Sequence, residues 1–434
     1  MTPSARLQAA LDLLTEIDTV TRPADAITSA YFRARRYIGS HDRAAVSTLL
    51  YAILRHRARL GWWAAGDEGQ NTPRMRLIAW LVLSEKKSLR DIRELFDGGK
   101  FSPLKLTEFE TTLIGKLEGH DVEHPKMPEE IKVECPDWAA TSLKRRFGKN
   151  FMPEMQALLE PAPLDLRVNP LKATRETMLA ELKKLSVKAE LCSLSPFGIR
   201  VFERPSLAAL PMLKNGSVEI QDEGSQLVAA LVDAKPGMRV VDFCAGAGGK
   251  TLAIAAQMQN KGRITACDVL AGRLKRSAER FRRAGFHNIE IKPLTSERDV
   301  WIKKHQSGFD RVLADVPCTG VGAWRRNPDA RWRSLGPGLE ALVKTQADIL
   351  ESAARLVKPG GRLIYATCSL LSEENERQIE KFLTAHMEFK VMPYKTDETY
   401  LFLTPAQHHT DGFFAAVMER ASAKIAAQHA PKTA

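Results

Sequence analysis

The six cysteines of this chain, at positions 135, 192, 244, 267, 318 and 368, include no C-x-x-C pair. That spacing argues against a zinc site and against a disulfide framework, and for reduced thiols in a cytosol. No apolar run is long enough to span a bilayer. A signal peptide is missing too: Leu7, Leu11, Leu14 and Ile17 recur at helical spacing with Asp12 and Glu16 among them, which is an amphipathic helix. Acidic side chains are the minority, 52 against 64 Lys and Arg, for a formal net charge of +12. Such an excess points to an anionic partner, most often nucleic acid; the bland alternative is a basic but inert surface. These absences describe a cytoplasmic protein with no metal and no membrane attachment, expected to be a monomer.

What is present fills several domains. A chain of 434 residues, 44% hydrophobic, is long enough for two or three real cores. Residues 1–125 read as all-helical. Val46, Leu49, Leu50, Ile53 and Leu54 form one stripe, and Leu77 to Leu83 a buried run. Ser88 to Asp91 and Thr107 to Glu110 have N-terminal capping spacing. Arg33, Arg35, Arg36, Arg43, Arg55, Arg57 and Arg59 accompany Tyr31, Tyr37, Trp62 and Trp63, which suits an RNA-facing module or a solvated face over an aromatic core. A proline-punctuated stretch, 118–130, reads as a linker. Residues 130–208 read as a small α/β module with strand-like pieces at 164–169, 189–194 and 198–202, and its place between the helical front and the parallel sheet suits substrate contact. From 209 to 425 strands and helices alternate, which argues for a parallel sheet. Its strands are expected at 239–243, 263–267, 289–292, 310–314 and 362–367, with a final pair at 389–392 and 413–418. Residues 426–434 read as a flexible tail.

The chemistry starts at Val240-Val241-Asp242-Phe243-Cys244-Ala245-Gly246-Ala247-Gly248-Gly249-Lys250-Thr251. A β-branched run enters a small-residue turn and then a helix, which lets backbone approach a nucleotide-like ligand at a strand's carboxyl end. Asp268 ends the next strand, where a carboxylate can accept both ribose hydroxyls. The turn lacks the spaced glycines that seat a pyrophosphate, which favours S-adenosylmethionine over a dinucleotide. Two cysteines, Cys318 in Ala314-Asp315-Val316-Pro317-Cys318-Thr319-Gly320 and Cys368 in Tyr365-Ala366-Thr367-Cys368-Ser369, follow the fourth and fifth strands. Cys244 and Cys267 read as small core residues. A thiolate beside a methyl donor suits pyrimidine carbon-5 methylation: addition at carbon 6 makes carbon 5 nucleophilic. Asp315 suits the N3 or exocyclic amine of cytosine. The basic segments Trp324 to Arg326 and Arg331 to Arg333 suit an RNA strand crossing the cleft, from which the target base must unstack. Two rivals are a dinucleotide oxidoreductase and a non-catalytic RNA-binding assembly factor.

With Gln221-Asp222-Glu223-Gly224-Ser225, Arg325-Arg326-Asn327-Pro328-Asp329, Leu370-Leu371-Ser372-Glu373-Glu374-Asn375-Glu376 and Asp411-Gly412-Phe413-Phe414, the turn and the two cysteine motifs resemble the Rsm/Nol/Sun (RsmB/NOP) family of RNA cytosine-C5 methyltransferases. The stretch Tyr37-Ile38-Gly39-Ser40-His41-Asp42-Arg43 resembles the NusB-like domain of its bacterial small-subunit rRNA enzymes. The resemblance implies a Rossmann-like S-adenosylmethionine-dependent domain behind a small α/β module and a helical front, acting on ribosomal RNA, with tRNA the alternative. It implies Cys368 as nucleophile, Cys318 as the group that promotes product release, and Asp315 and Lys250 at the target base. Spacing alone leaves open which cysteine attacks. The cofactor would be held by Cys244, Ala245, Gly246, Ala247, Gly248, Lys250, Asp268, Arg273 and Asp315. The family's acid past the third strand is missing from Lys292-Pro293-Leu294-Thr295-Ser296-Glu297-Arg298, so no residue is assigned to the adenine.

Overall fold

Local sequence explains several of the helix starts. Thr2, Thr72, Ser88, Thr107 and Thr174 each accept a backbone N–H at a helix start, satisfying donors that the first turn leaves free. The spacing at Ser88/Asp91 and Thr107/Glu110 closes into reciprocal capping boxes. The computed structural model describes residues 1–66, 70–202, 210–332 and 336–422, so the expected tail and Arg333 lie outside the described residues. The chain forms two compact units, Met1–Glu160 with Trp324–Pro337, and Pro161–Ala323 with Gly338–Ala434.

The first unit is helical. Leu13, Leu14, Ile17, Val46, Leu50, Ile53 and Leu77 meet in one core. Several arginines expected to face RNA are used internally. Arg57 and Arg76 both bind Asp18, Arg59 pairs with Glu134 at 3.2 Å, and Arg55 donates to the carbonyls of Leu159 and Arg325. Tyr31 is buried beneath the Arg35 guanidinium, 3.7 Å away, whereas Tyr37 is exposed. The segment after the fourth strand of the second unit corrects an expectation. Trp324, Arg325 and Arg331 are buried, and Arg331 donates to the carbonyls of Val133, Glu134 and Leu158. Arg331 is thus spent on helical-unit carbonyls, and Trp324 and Arg325 are buried rather than presented to an RNA strand.

The second unit holds two sheets. The smaller comprises β1 (Leu164–Val168), β2 (Ala189–Leu191), β3 (Gly198–Val201) and β4 (Val218–Ile220), in the order β2-β3-β1-β4 and all antiparallel. The larger comprises β5 (Arg239–Asp242), β6 (Arg263–Asp268), β7 (Ile289–Pro293), β8 (Phe309–Asp315), β9 (Val357–Thr367), β10 (Phe389–Met392), β11 (Leu401–Leu403) and β12 (Phe413–Arg420). Its order is β10-β12-β9-β8-β5-β6-β7, with β11 on β12. Strands β9, β8, β5, β6 and β7 are parallel, and β12 returns antiparallel to β9. Val240, Val241, Ile264, Val312, Leu313 and Ile364 are fully buried, as strands covered on both faces require. The chain leaves β5 toward β6 and later returns to β8 on its other side. That reversal opens a crevice at the carboxyl ends, where ligands bind in open α/β sheets.

Candidate active site

The turn after β5 is built for close approach. Gly246 and Gly248 have φ of +55° and +79°, a region open to glycine at little cost. A Cβ on Gly248 would stand 2.4 Å from the Phe281 ring. The helix Gly249–Gln257 starts immediately afterward. Asp268, at the end of β6, accepts the Gly246 N–H at 2.8 Å and the Leu270 N–H at 2.7 Å, so both oxygens are fixed and keep lone pairs. The Arg273 guanidinium lies about 3.5 Å from where a Gly246 Cβ would be. Asp242 is buried with Oδ1 unpartnered, while Oδ2 accepts the Thr251 hydroxyl at 2.7 Å. Burial, then the nearby Asp315 charge, pushes its carboxyl up to about 7 against the pull of Thr251.

At the ends of β8 and β9, neighbours in the sheet, the sulfurs of Cys318 and Cys368 stand 3.4 Å apart. Both cysteines are partly exposed, unlike Cys267, which is buried in the core. Contact with Cys368, then burial, then the charges of Cys368 and Glu374 push the Cys318 thiol well up. Lys250 donates to Asp315 Oδ2 at 2.7 Å and stands 5.5 Å over the Phe413 ring. Burial pulls its ammonium down, but Asp315 and then Cys368 more than offset this, so it remains a cation. Asp315 Oδ1 has no partner among the described residues.

Motifs without an assigned role frame the cysteines. The Gly322 N–H donates to the Cys368 carbonyl at 3.0 Å, and the Gly412 N–H to the Gly322 carbonyl at 2.9 Å. A Cβ on Gly322 would meet the Gly412 oxygen at 2.3 Å. Asn375 Nδ2 holds the Ser369 carbonyl at 2.9 Å. Glu374 contacts both cysteine loops. From the small sheet, buried Arg167 donates to Gln221 and, at 2.7 Å, to the Gly249 carbonyl. Neither Arg167 nor Glu374 was assigned a role from sequence; the one available signal was the motif around Glu374. Past β7, Thr295 donates through its N–H and its hydroxyl to Asp299, both at 2.8 Å, and no residue there is assigned to adenine.

A family model described as 16S rRNA methyltransferase RsmB/F matches residues 229–419, and one for the ferredoxin-like domain of RsmF/B-like methyltransferases matches 135–207. The chain is 30% identical over 88% of its length, and 92% of the relative's, to a probable ribosomal RNA small subunit methyltransferase B of Synechocystis. The chain belongs to the RsmB/F family. The corresponding Pasteurella multocida protein, a ribosomal RNA small subunit methyltransferase B, is 34% identical over 66% of this chain and 65% of its own. A solved methyltransferase homolog from Pyrococcus horikoshii superposes with TM-score 0.59 at 27% identity, over 69% of this chain and all of that one. An RsmB/F protein is an S-adenosylmethionine-dependent methyltransferase, and the crevice fits that cofactor. It has a glycine turn that admits no side chain at Gly248, a fixed carboxylate at Asp268 and an orphan oxygen on Asp242.

Proposed function

We propose that this protein methylates carbon 5 of a cytosine in small-subunit ribosomal RNA, in the cytoplasm, through a covalent adduct between Cys368 and carbon 6. The observation that carries the reading is the pair of sulfurs 3.4 Å apart beside the Lys250–Asp315 ion pair. The ribosomal substrate comes from the relatives' names. Backbone from Cys244 to Gly248, Asp268 at the ribose and Arg273 at the methionine carboxylate would hold S-adenosylmethionine, with Lys250 and Asp315 at the border with the base. When bound, it supplies an electrophilic methyl group. The Cys368 thiolate adds to carbon 6 and places electron density on carbon 5. Lys250 sets a cation beside the attacking sulfur. Asp315, anchored through Oδ2, has Oδ1 free for the N3–exocyclic amine edge of cytosine. Once carbon 5 carries the methyl group, its proton passes to a water, that electron pair restores the double bond to carbon 6 and the carbon 6–sulfur bond breaks; Cys318, held as a thiol, is suited to give a proton to the departing Cys368 thiolate.

Cys368→Ala should abolish methyl transfer to RNA. Cys318→Ala should accumulate a protein–RNA adduct visible on a denaturing gel. Full activity of Cys368→Ala would overturn the mechanism. Bisulfite sequencing of RNA from a strain lacking the protein should show one lost methylcytosine in small-subunit rRNA; its loss from tRNA would move the substrate.

A further inference from the structure

Each cysteine is followed by a hydroxyl residue, Thr319 after Cys318 and Ser369 after Cys368. Both hydroxyls donate to the same atom, Glu374 Oε2, Thr319 at 2.5 Å. The other oxygen, Oε1, accepts the Thr319 N–H and Gln346 Nε2, both at 2.9 Å. Four donors therefore fill the four acceptor positions of one carboxylate. Glu374 is wholly buried and has no cationic partner among the described residues. A buried charge of this kind is costly unless every lone pair is used. Its own backbone is fixed to β9: the Tyr365 hydroxyl donates to the Glu374 carbonyl, and Thr367 to Asn375 Oδ1, both at 2.6 Å.

We propose that Glu374 is a positioning residue that sets the separation of the two reactive sulfurs by binding the hydroxyl that follows each cysteine. That the sulfurs react at all rests on the function proposed above; the clamp itself does not. Glu374 touches neither sulfur within hydrogen-bond range and acts through Thr319 and Ser369.

The test is cross-linking of the full-length protein by diamide without RNA. Two thiols lose two electrons and two protons to diamide, which becomes the hydrazine, and one S–S bond forms. The sulfurs need only close from 3.4 Å to about 2.05 Å. The joined Cys318–Cys368 peptide is followed by mass. Glu374→Ala should slow its formation about tenfold and lower kcat for methyl transfer about a hundredfold, with the S-adenosylmethionine Kd unchanged. Glu374→Gln should retain most of both: its amide oxygen can accept from Thr319 N–H and Gln346, and its NH2 can donate to the two hydroxyls once they turn. Wild-type cross-linking by Glu374→Ala, or a glutamine variant as impaired as the alanine one, would overturn the clamp. Should Glu374→Ala fail to fold, Thr319→Val removes one hydroxyl from the clamp and should slow cross-linking severalfold; an unchanged rate rejects the proposal. If the wild-type protein cross-links as expected but methylates no cytosine, the clamp stands and the proposed function falls.

Discussion

Cys318 and Cys368 are the same side chain in different fields. An anion, Glu374, bears on Cys318, and a cation, Lys250, faces Cys368. The anion helps to hold Cys318 as a thiol, which argues against Cys318 as the attacking sulfur where spacing alone left the choice open. Lys250→Met removes the cation together with its hydrogen bond to Asp315. It should lower kcat at pH 7 by about tenfold or more and move the acid limb of the pH–rate profile upward; an unmoved limb would mean that the lysine serves binding alone. Asp242 gives a second pH prediction. Folding raises its carboxyl from 3.8 to about 7, so the folded state binds the proton more tightly. The stability this provides is full below 3.8 and is lost as pH rises through about 7, on the order of 4 kcal/mol. Asp242→Asn should therefore be more stable than wild type at pH 8 and similar at pH 4, compared by urea melts without cofactor. The positions of the cysteines and Asp268 were legible because each lies at or just past the carboxyl end of an apolar strand. Glu374 was not. Its partners lie 55, 5 and 28 positions away, and only the folded sheet brings them together.

Among elements, the strands with strong apolar runs were legible and the short ones were not. Strands β5 to β8 fall within two residues of their expected ends; β5, β6 and β8 are largely buried apolar runs, whereas the edge strand β7 is only half-buried. Of three strands of three residues each, β2 was expected from sequence, whereas β4 and β11 carry too little pattern to be read alone; they exist because β1 and β12 offer them partners. Strand β9 starts at Val357, five residues before its expected start, across Pro359-Gly360-Gly361. Those residues read as a turn, and the register between β8 and β9 does shift there. The small sheet also does more than its sequence suggested. Arg167 on β1 holds Gly249, the first residue of the helix after the glycine turn. Arg167→Met keeps volume but leaves that carbonyl without the donor. A hydrogen bond from a charged group contributes about 1.5–3 kcal/mol, so S-adenosylmethionine binding should weaken by roughly tenfold or more in a calorimetric titration. Unchanged affinity would mean that the turn holds its shape without the small sheet.

At the level of the whole molecule, the chain passes three times between its two compact units. The middle return, Trp324–Pro337, places part of the catalytic domain's sequence in the helical unit. A tryptophan-rich basic segment next to the Cys318 loop is compositionally what RNA contact would need. Sequence cannot reveal that Arg331 donates to carbonyls more than 170 positions earlier. Within the helical unit the segment is held at several points. Arg331 lies 5.0 Å over the Trp324 ring, the Ala24 N–H donates to Asp329 at 3.0 Å, and Trp138 Nε1 donates to the Arg331 carbonyl at 3.1 Å. Burial pulls the Arg331 guanidinium down to about 10, and Glu134 opposes this, so it is still charged at neutral pH. Glu134 is itself fully buried and bound by Arg59 and the Ala58 N–H. Arg331→Met would strip donors from three buried carbonyls and remove a cation from the neighbourhood of a buried carboxylate. Losses of that kind cost about 2–4 kcal/mol. Because each unit has its own core, hydrogen exchange should quicken around Val133–Cys135 and Trp324–Trp332 while the helix Gly249–Gln257 stays protected and S-adenosylmethionine affinity is retained. Faster exchange spread evenly over both units would instead mean that they unfold as one cooperative body, and the segment would then be a shared element of both cores rather than an anchor in one.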